Sequence, residues 1–168
     1  MPKTETIVIN TGPLIALVAA LGDLKVLQFL YTQVLVPYEV CQEILVGGSR
    51  DFAVKEFTAA TWLTKQPKSL NISPFLLNTL DPGEAAVIQL AINENIQTVC
   101  IDEAAGRRIA RLSQLSVTGS IGILLRAKGE GYSISIPEAI SRMVSRGIRL
   151  SQSVIDFALE QGTDDDSD

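Results

Sequence analysis

Ile7-Val-Ile-Asn-Thr-Gly-Pro13 decides the fold. Consecutive β-branched residues with no apolar–polar alternation read as a strand buried on both faces, the signature of a parallel sheet. Thr11-Gly-Pro13 opens a helix immediately, with Pro13 as an early helical residue. The same grammar returns downstream. Val34-Leu-Val36 is followed by a helix from Pro37 that carries Val40, Ile44 and Leu45 and ends at Gly47-Gly48. Gln97 to Ile101 leads into a helix from Asp102 to about Gln114, and Ser116-Val-Thr118 into one from Ser120 to about Lys128. Strands alternating with helices imply parallel pairing through right-handed crossovers.

Between these units, Leu14, Leu17, Val18 and Leu21 give the first helix an apolar face. Gly22-Asp23 breaks it, and Asp23 caps a short second helix. A helix is expected over Asp51 to Ala60 and a strand at Thr61-Trp-Leu-Thr64, while residues 66–80 read as a connection. Asp81-Pro-Gly-Glu84 is a helix start with Asp81 as N-cap, Pro82 first and Glu84 third. After the Gly129-Glu-Gly131 turn, the segments Pro137 to Ser145 and Ser151 to Gln161 form a helical appendage. The expected division is a domain over 1–130, an appendage over 131–162 packed on it, and a disordered acidic tail over 163–168.

Composition narrows the chemistry. The 168 residues suffice for one domain with a substantial core, and 46% are hydrophobic, which excludes a disordered chain. No apolar stretch reaches membrane-spanning length and no signal-peptide pattern opens the chain, so a cytoplasmic protein is expected. Cys41 and Cys100 sit inside apolar runs and read as small core residues. A net charge of −5 argues against a nonspecific nucleic-acid binder but not against a nuclease with an acidic pocket. With no histidine, Ser-His-Asp and Cys-His catalysis and His-containing zinc sites are excluded. No glycine-rich loop with Lys-Ser/Thr is present, and few aromatics are available as sugar platforms.

Acidic and amide side chains remain. Asn10 closes the first strand, Glu43 lies in the helix after the second, Glu84 opens a later helix and Asp102 ends Thr98-Val-Cys-Ile-Asp102. In an open α/β sheet, residues just past the carboxyl ends of strands converge on one crevice. Singly, each is explained as a helix cap worth about 1 kcal/mol or as a solvated residue. Three carboxylates sharing a crevice would repel by roughly 4 kcal/mol per pair at 4 Å and an effective dielectric of 20. Bound Mg²⁺ or Mn²⁺ relieves that repulsion and can serve phosphodiester hydrolysis. Arg107, Arg108 and Arg111 follow on one helix and Ser120 begins another, where they offer phosphate contacts or, equally simply, a solvated face and an N-cap.

The chain resembles the PIN domain family in Ile7-Val-Ile-Asn-Thr-Gly-Pro-Leu-Ile15, Val36-Pro-Tyr-Glu-Val-Cys-Gln-Glu43, Leu80-Asp-Pro-Gly-Glu-Ala85, Ile101-Asp-Glu103 with Gly106-Arg-Arg108, and Val117-Thr-Gly-Ser-Ile-Gly122. It is most similar to a little-characterised prokaryotic branch of that family, into which Gly147-Ile-Arg-Leu-Ser151 also fits. The resemblance implies a five-prime-nuclease-like parallel sheet of about five strands between helices. It also implies cleavage of single-stranded RNA with Mg²⁺ or Mn²⁺. Toxin–antitoxin pairing, with a small antitoxin-like partner, is a further implication; a homo-oligomer is left open by the sequence. By motif, Glu43, Glu84 and Asp102 match family acids, and Asn10 stands where the family has its first-strand aspartate. That departure sets up the alternative, a degenerate module that binds RNA or a protein without cutting. A small-molecule phosphohydrolase is a third reading, weakened by the absence of a nucleophile loop.

Overall fold

The computed structural model describes residues 5–47 and 51–164. Five parallel strands form one sheet: β1 (Glu5–Ile9), β2 (Tyr31–Val36), β3 (Thr64–Lys65), β4 (Thr98–Cys100) and β5 (Ser116–Thr118). Their order is β3-β2-β1-β4-β5. The chain steps outward from β1 to β3, then returns to lay β4 against the other side of β1. That reversal places a topological switch point between β1 and β4, where sheets of this kind bind ligands. Register sets Ile9 opposite Cys100 and Cys100 opposite Thr118. The ladder runs one residue further, with the Asn10 N–H donating to the Cys100 carbonyl at 3.0 Å and the Ile101 N–H to Thr118 at 3.0 Å. Asn10, Asp102 and Ser120 therefore leave the sheet along a single edge.

Ten helices surround the sheet among the described residues. They are α1 (Thr11–Leu21), α2 (Lys25–Leu30), α3 (Tyr38–Val46), α4 (Asp51–Ala59), α5 (Pro74–Thr79), α6 (Pro82–Asn93), α7 (Ala104–Leu112), α8 (Ser120–Gly129), α9 (Ile136–Ser145) and α10 (Gln152–Asp164). Ile7, Val8 and Ile9 are wholly buried, as the unbroken apolar run predicts for a central parallel strand. Full burial of each such aliphatic side chain stabilises by about 1.5–3 kcal/mol. Both cysteines are free and buried in the core. Gly22, left-handed at φ 83°, ends α1, its N–H donating to the Val18 carbonyl at 2.8 Å.

Helix α9 lies on α1, and α10 on α9 and α8. Helix α10 continues through Asp164, so the acidic tail expected from residue 163 falls outside the described residues from 165 onward. Two local expectations are corrected. The third strand is Thr64–Lys65 and not 61–64, because Thr61 and Trp62 turn out of α4 before pairing begins. The connection over 66–80 contains α5, capped by the Ser73 hydroxyl, which accepts from the Leu76 N–H at 3.4 Å.

Candidate active site

Helix α6 organises the site. Asp81 Oδ1 accepts the Glu84 N–H at 2.9 Å, and Pro82 occupies a first-turn position that lacks an intrahelical partner in any case. This cap puts Glu84 at the positive end of the helix dipole. Helix α6 packs against β1 and β4 and is flanked by α3, α5 and α7, so its first turn is covered. Glu84 is only 3% exposed, and its Oε2 has no hydrogen-bond partner. Room for that oxygen comes from Gly106 on α7. A Cβ there would collide with Glu84 Oε2 and approach Ile101 Cγ2 to 2.8 Å.

Carboxylate oxygens of Asp81, Glu84 and Glu103 all lie within 4.8 Å of one another. Glu103 holds the N-cap position of α7 yet makes no side-chain capping bond. Glu43 borders the group from α3. Its Oε2 accepts the Thr11 hydroxyl at 2.8 Å, and a Cβ on Gly83 would collide with its Oε1. Asn10 is 7% exposed and does not cap α1 with its side chain; its Oδ1 is a second buried oxygen without a partner. Contacts thus run without a gap from Thr11, next to Asn10, through Glu43 and Gly83 to Glu84 and Gly106.

Asp102 is placed differently. Its Oδ1 accepts the Ser120 N–H at 2.8 Å and its Oδ2 the Ser120 hydroxyl at 2.9 Å, which ties the end of β4 to the start of α8. It therefore caps α8, across the sheet edge, and not α7. Gly119 permits the approach, since a Cβ there would stand 2.6 Å from Asp102 Oδ1. Arg107 donates through Nη1 to the Ile101 carbonyl at 2.8 Å, spending one of five donors on the backbone. It lines a cavity of about 580 Å³ together with Asp102 and Ser120, whereas Arg108 and Arg111 are exposed elsewhere on α7.

Of the expected residues, Glu84 and Glu43 meet at the carboxylate cluster, and Asp102, Ser120 and Arg107 meet beside it. Asp81 and Glu103 were missed as candidate ligands. Both lie in the quoted motifs, but in sequence Asp81 has the position of a cap, and Asp102, one residue before Glu103, directly ends the strand. A helix starting at Ala104 hands the cap position, and the turn toward the cluster, to Glu103.

The electrostatics are strained in one direction. Burial, then the hydrogen bond with Asp81, then the charges of Asp81, Glu103 and Glu43, push the Glu84 carboxyl up to about 8. Burial also raises Glu43, with the Thr11 hydroxyl and Gly83 N–H pulling the other way. At neutral pH the metal-free site therefore holds a proton on Glu84. Hard oxygen donors, a proton that a cation can displace and two orphaned buried oxygens fit Mg²⁺ or Mn²⁺.

A doubly wound parallel sheet with an acidic crevice at its switch point defines the class, that of α/β domains with nuclease-type sites. The family model for the PIN domain matches residues 6–163, and the chain belongs to that family. No curated protein and no solved structure matches it. Membership carries a nuclease-type function that engages nucleic acid and uses divalent metal. No helix among the described residues is long and apolar enough to cross a membrane.

Proposed function

We propose that this chain is a metal-dependent ribonuclease that hydrolyses phosphodiester bonds in single-stranded RNA in the cytoplasm, as the toxin of a toxin–antitoxin pair with a small protein partner. The observation that carries the reading is the cluster of Asp81, Glu84 and Glu103 with the unpartnered, buried Glu84 oxygen. Asp81, Glu84 and Glu103 hold the cation, and Glu43 and Asn10 border it. When bound, Mg²⁺ or Mn²⁺ neutralises phosphate charge and lowers the pKa of coordinated water. Asp102, fixed by Ser120, holds the edge of the crevice open, and Arg107 keeps free N–H donors for a phosphate.

Asn10 favours a second reading, a module that binds RNA or a protein without cutting, because an amide stands where the resemblance expects an aspartate. The purified chain incubated with labelled single-stranded RNA separates them. Cleavage in Mn²⁺, abolished by EDTA and by Glu84→Gln, supports the nuclease. RNA binding with no cleavage in either metal supports the non-cutting module.

A further inference from the structure

Helix α9 ends at Ser145; Gly147, two residues on, is left-handed at φ 85°, and the Ile148 N–H closes back on the Met143 carbonyl at 3.0 Å. From there a short strap without helix or strand, residues 148–151, leads to α10. Ile148 and Leu150 pack on the core, while Arg149 between them is exposed and makes no hydrogen bond or ion pair among the described residues. Its two half-buried neighbours anchor the strap on either side of it.

Arg149 lines two adjoining cavities. One, of about 440 Å³, also contains Glu103 and Asp102. The other, of about 580 Å³, contains Asp102, Arg107, Ser120 and Phe157 of α10. Phe157 is 54% exposed, large for an aromatic beside a crevice. Each Asp102 oxygen already accepts one bond from Ser120, and none of its bonds is to Arg149.

We propose that the strap and α10 form the substrate wall of this crevice, with Arg149 gripping a backbone phosphate and Phe157 stacking a base. This rests on the ribonuclease reading and names the groove through which the RNA strand reaches the carboxylates. Charge complementarity selects the occupant. Two cations, Arg107 and Arg149, outnumber the single carboxylate of Asp102 in the larger cavity, in a chain of net charge −5, and an aromatic face beside them matches how proteins hold single strands. The strap pins Arg149 by packing on either side, so little side-chain freedom beyond its own rotamers is lost on binding.

The test is fluorescence anisotropy of a labelled oligouridylate, with Ca²⁺ replacing Mg²⁺ to suppress cleavage, on the full chain and on Arg149→Ala, Arg149→Lys and Phe157→Ala. Arg149→Ala should reduce the slope of log affinity against log salt by about 0.7, the share of one single-strand phosphate contact, and Arg149→Lys should restore it. Phe157→Ala should weaken binding about tenfold, as loss of one stacked base does. Neither should change the melting-temperature rise on adding Mn²⁺, which shows that the fold and the cluster are intact. If the wild type binds RNA and Arg149→Ala matches it in affinity and salt slope, the wall is wrong and the ribonuclease reading stands. Wild type that binds no oligouridylate overturns both. A wild-type dimer that Phe157→Ala dissolves, with RNA binding unchanged, would assign the groove to a second copy of the chain and refute the proposal.

Discussion

Glu84→Gln should make the metal-free protein more stable, and increasingly so as pH rises. The folded-state carboxyl titrates near 8 against an ordinary 4.5, so below 4.5 the group is protonated in both states and contributes no difference. Between those values folding must take up a proton, and each pH unit costs about 1.4 kcal/mol. The penalty is about 3 kcal/mol at pH 7 and levels off near 5 kcal/mol above pH 8. Gln keeps the shape, has no proton to take up and can still donate to Asp81. Urea unfolding in EDTA at pH 5, 7 and 9 should show a wild-type–variant gap that opens from under 1 to several kcal/mol. At about 2–4 °C per kcal/mol for a domain of this size, the variant should melt roughly 6–12 °C higher at pH 7. Saturating Mn²⁺ should narrow or invert the order, because only the wild type gains by binding. A gap that is constant with pH, or a variant less stable than wild type at pH 9, would refute the crowded-carboxylate account.

Four further substitutions probe the surroundings. Asn10→Asp adds a charge beside the cluster and should lower metal-free stability by about 1 kcal/mol while raising Mn²⁺ affinity in calorimetry; a fall in affinity would place Asn10 outside the site. Gly106→Ala sets a methyl against the buried Glu84 oxygen and Ile101, so it should cost about 1–3 kcal/mol and remove the Mn²⁺ response, whereas Gly83→Ala meets only the end of the exposed Glu43 side chain and should stay within about 0.5 kcal/mol on thermal melting. Ser120→Ala leaves Asp102 with its backbone donor alone and should cost about 1–2 kcal/mol by urea titration, yet leave the Mn²⁺ response intact, since Asp102 is not one of the three clustered carboxylates.

The β-strands of the sheet centre were legible because burial on both faces leaves no ambiguity in a run such as Ile7-Val-Ile9, and the caps at Asp81 and Ser73 explain why α6 could be read and α5 could not. Asp81 precedes Pro-Gly-Glu and a long apolar helix, while Ser73 introduces only six residues with Phe75 and Leu77 exposed, too short for a periodic face. The two-residue β3 pairs through Leu35–Thr64 and Val36–Lys65, a contact decided by tertiary packing and not by local preference. At the site, the motifs single out Glu84, Glu43 and the sheet edge as candidates. It could not identify Asp81 and Glu103 as partners of Glu84, because that depends on how α6 and α7 approach at Gly106, a separation of over twenty residues. Nor could spacing show that Asp102 turns to Ser120, since a one-residue difference in where α7 begins exchanges the roles of Asp102 and Glu103. The strap bearing Arg149 carries no pattern beyond alternation and emerges only when α9 and α10 are folded against α1 and α8.

The central claim, that Asp81, Glu84 and Glu103 form a divalent-metal centre, is tested most directly by anomalous diffraction from crystals soaked in Mn²⁺. The account predicts a manganese peak in contact with the Glu84 carboxylate and bordered by Asp81 and Glu103, absent from Glu84→Gln crystals. A peak located instead on Asp102, or none at the cluster at saturating Mn²⁺, would contradict it.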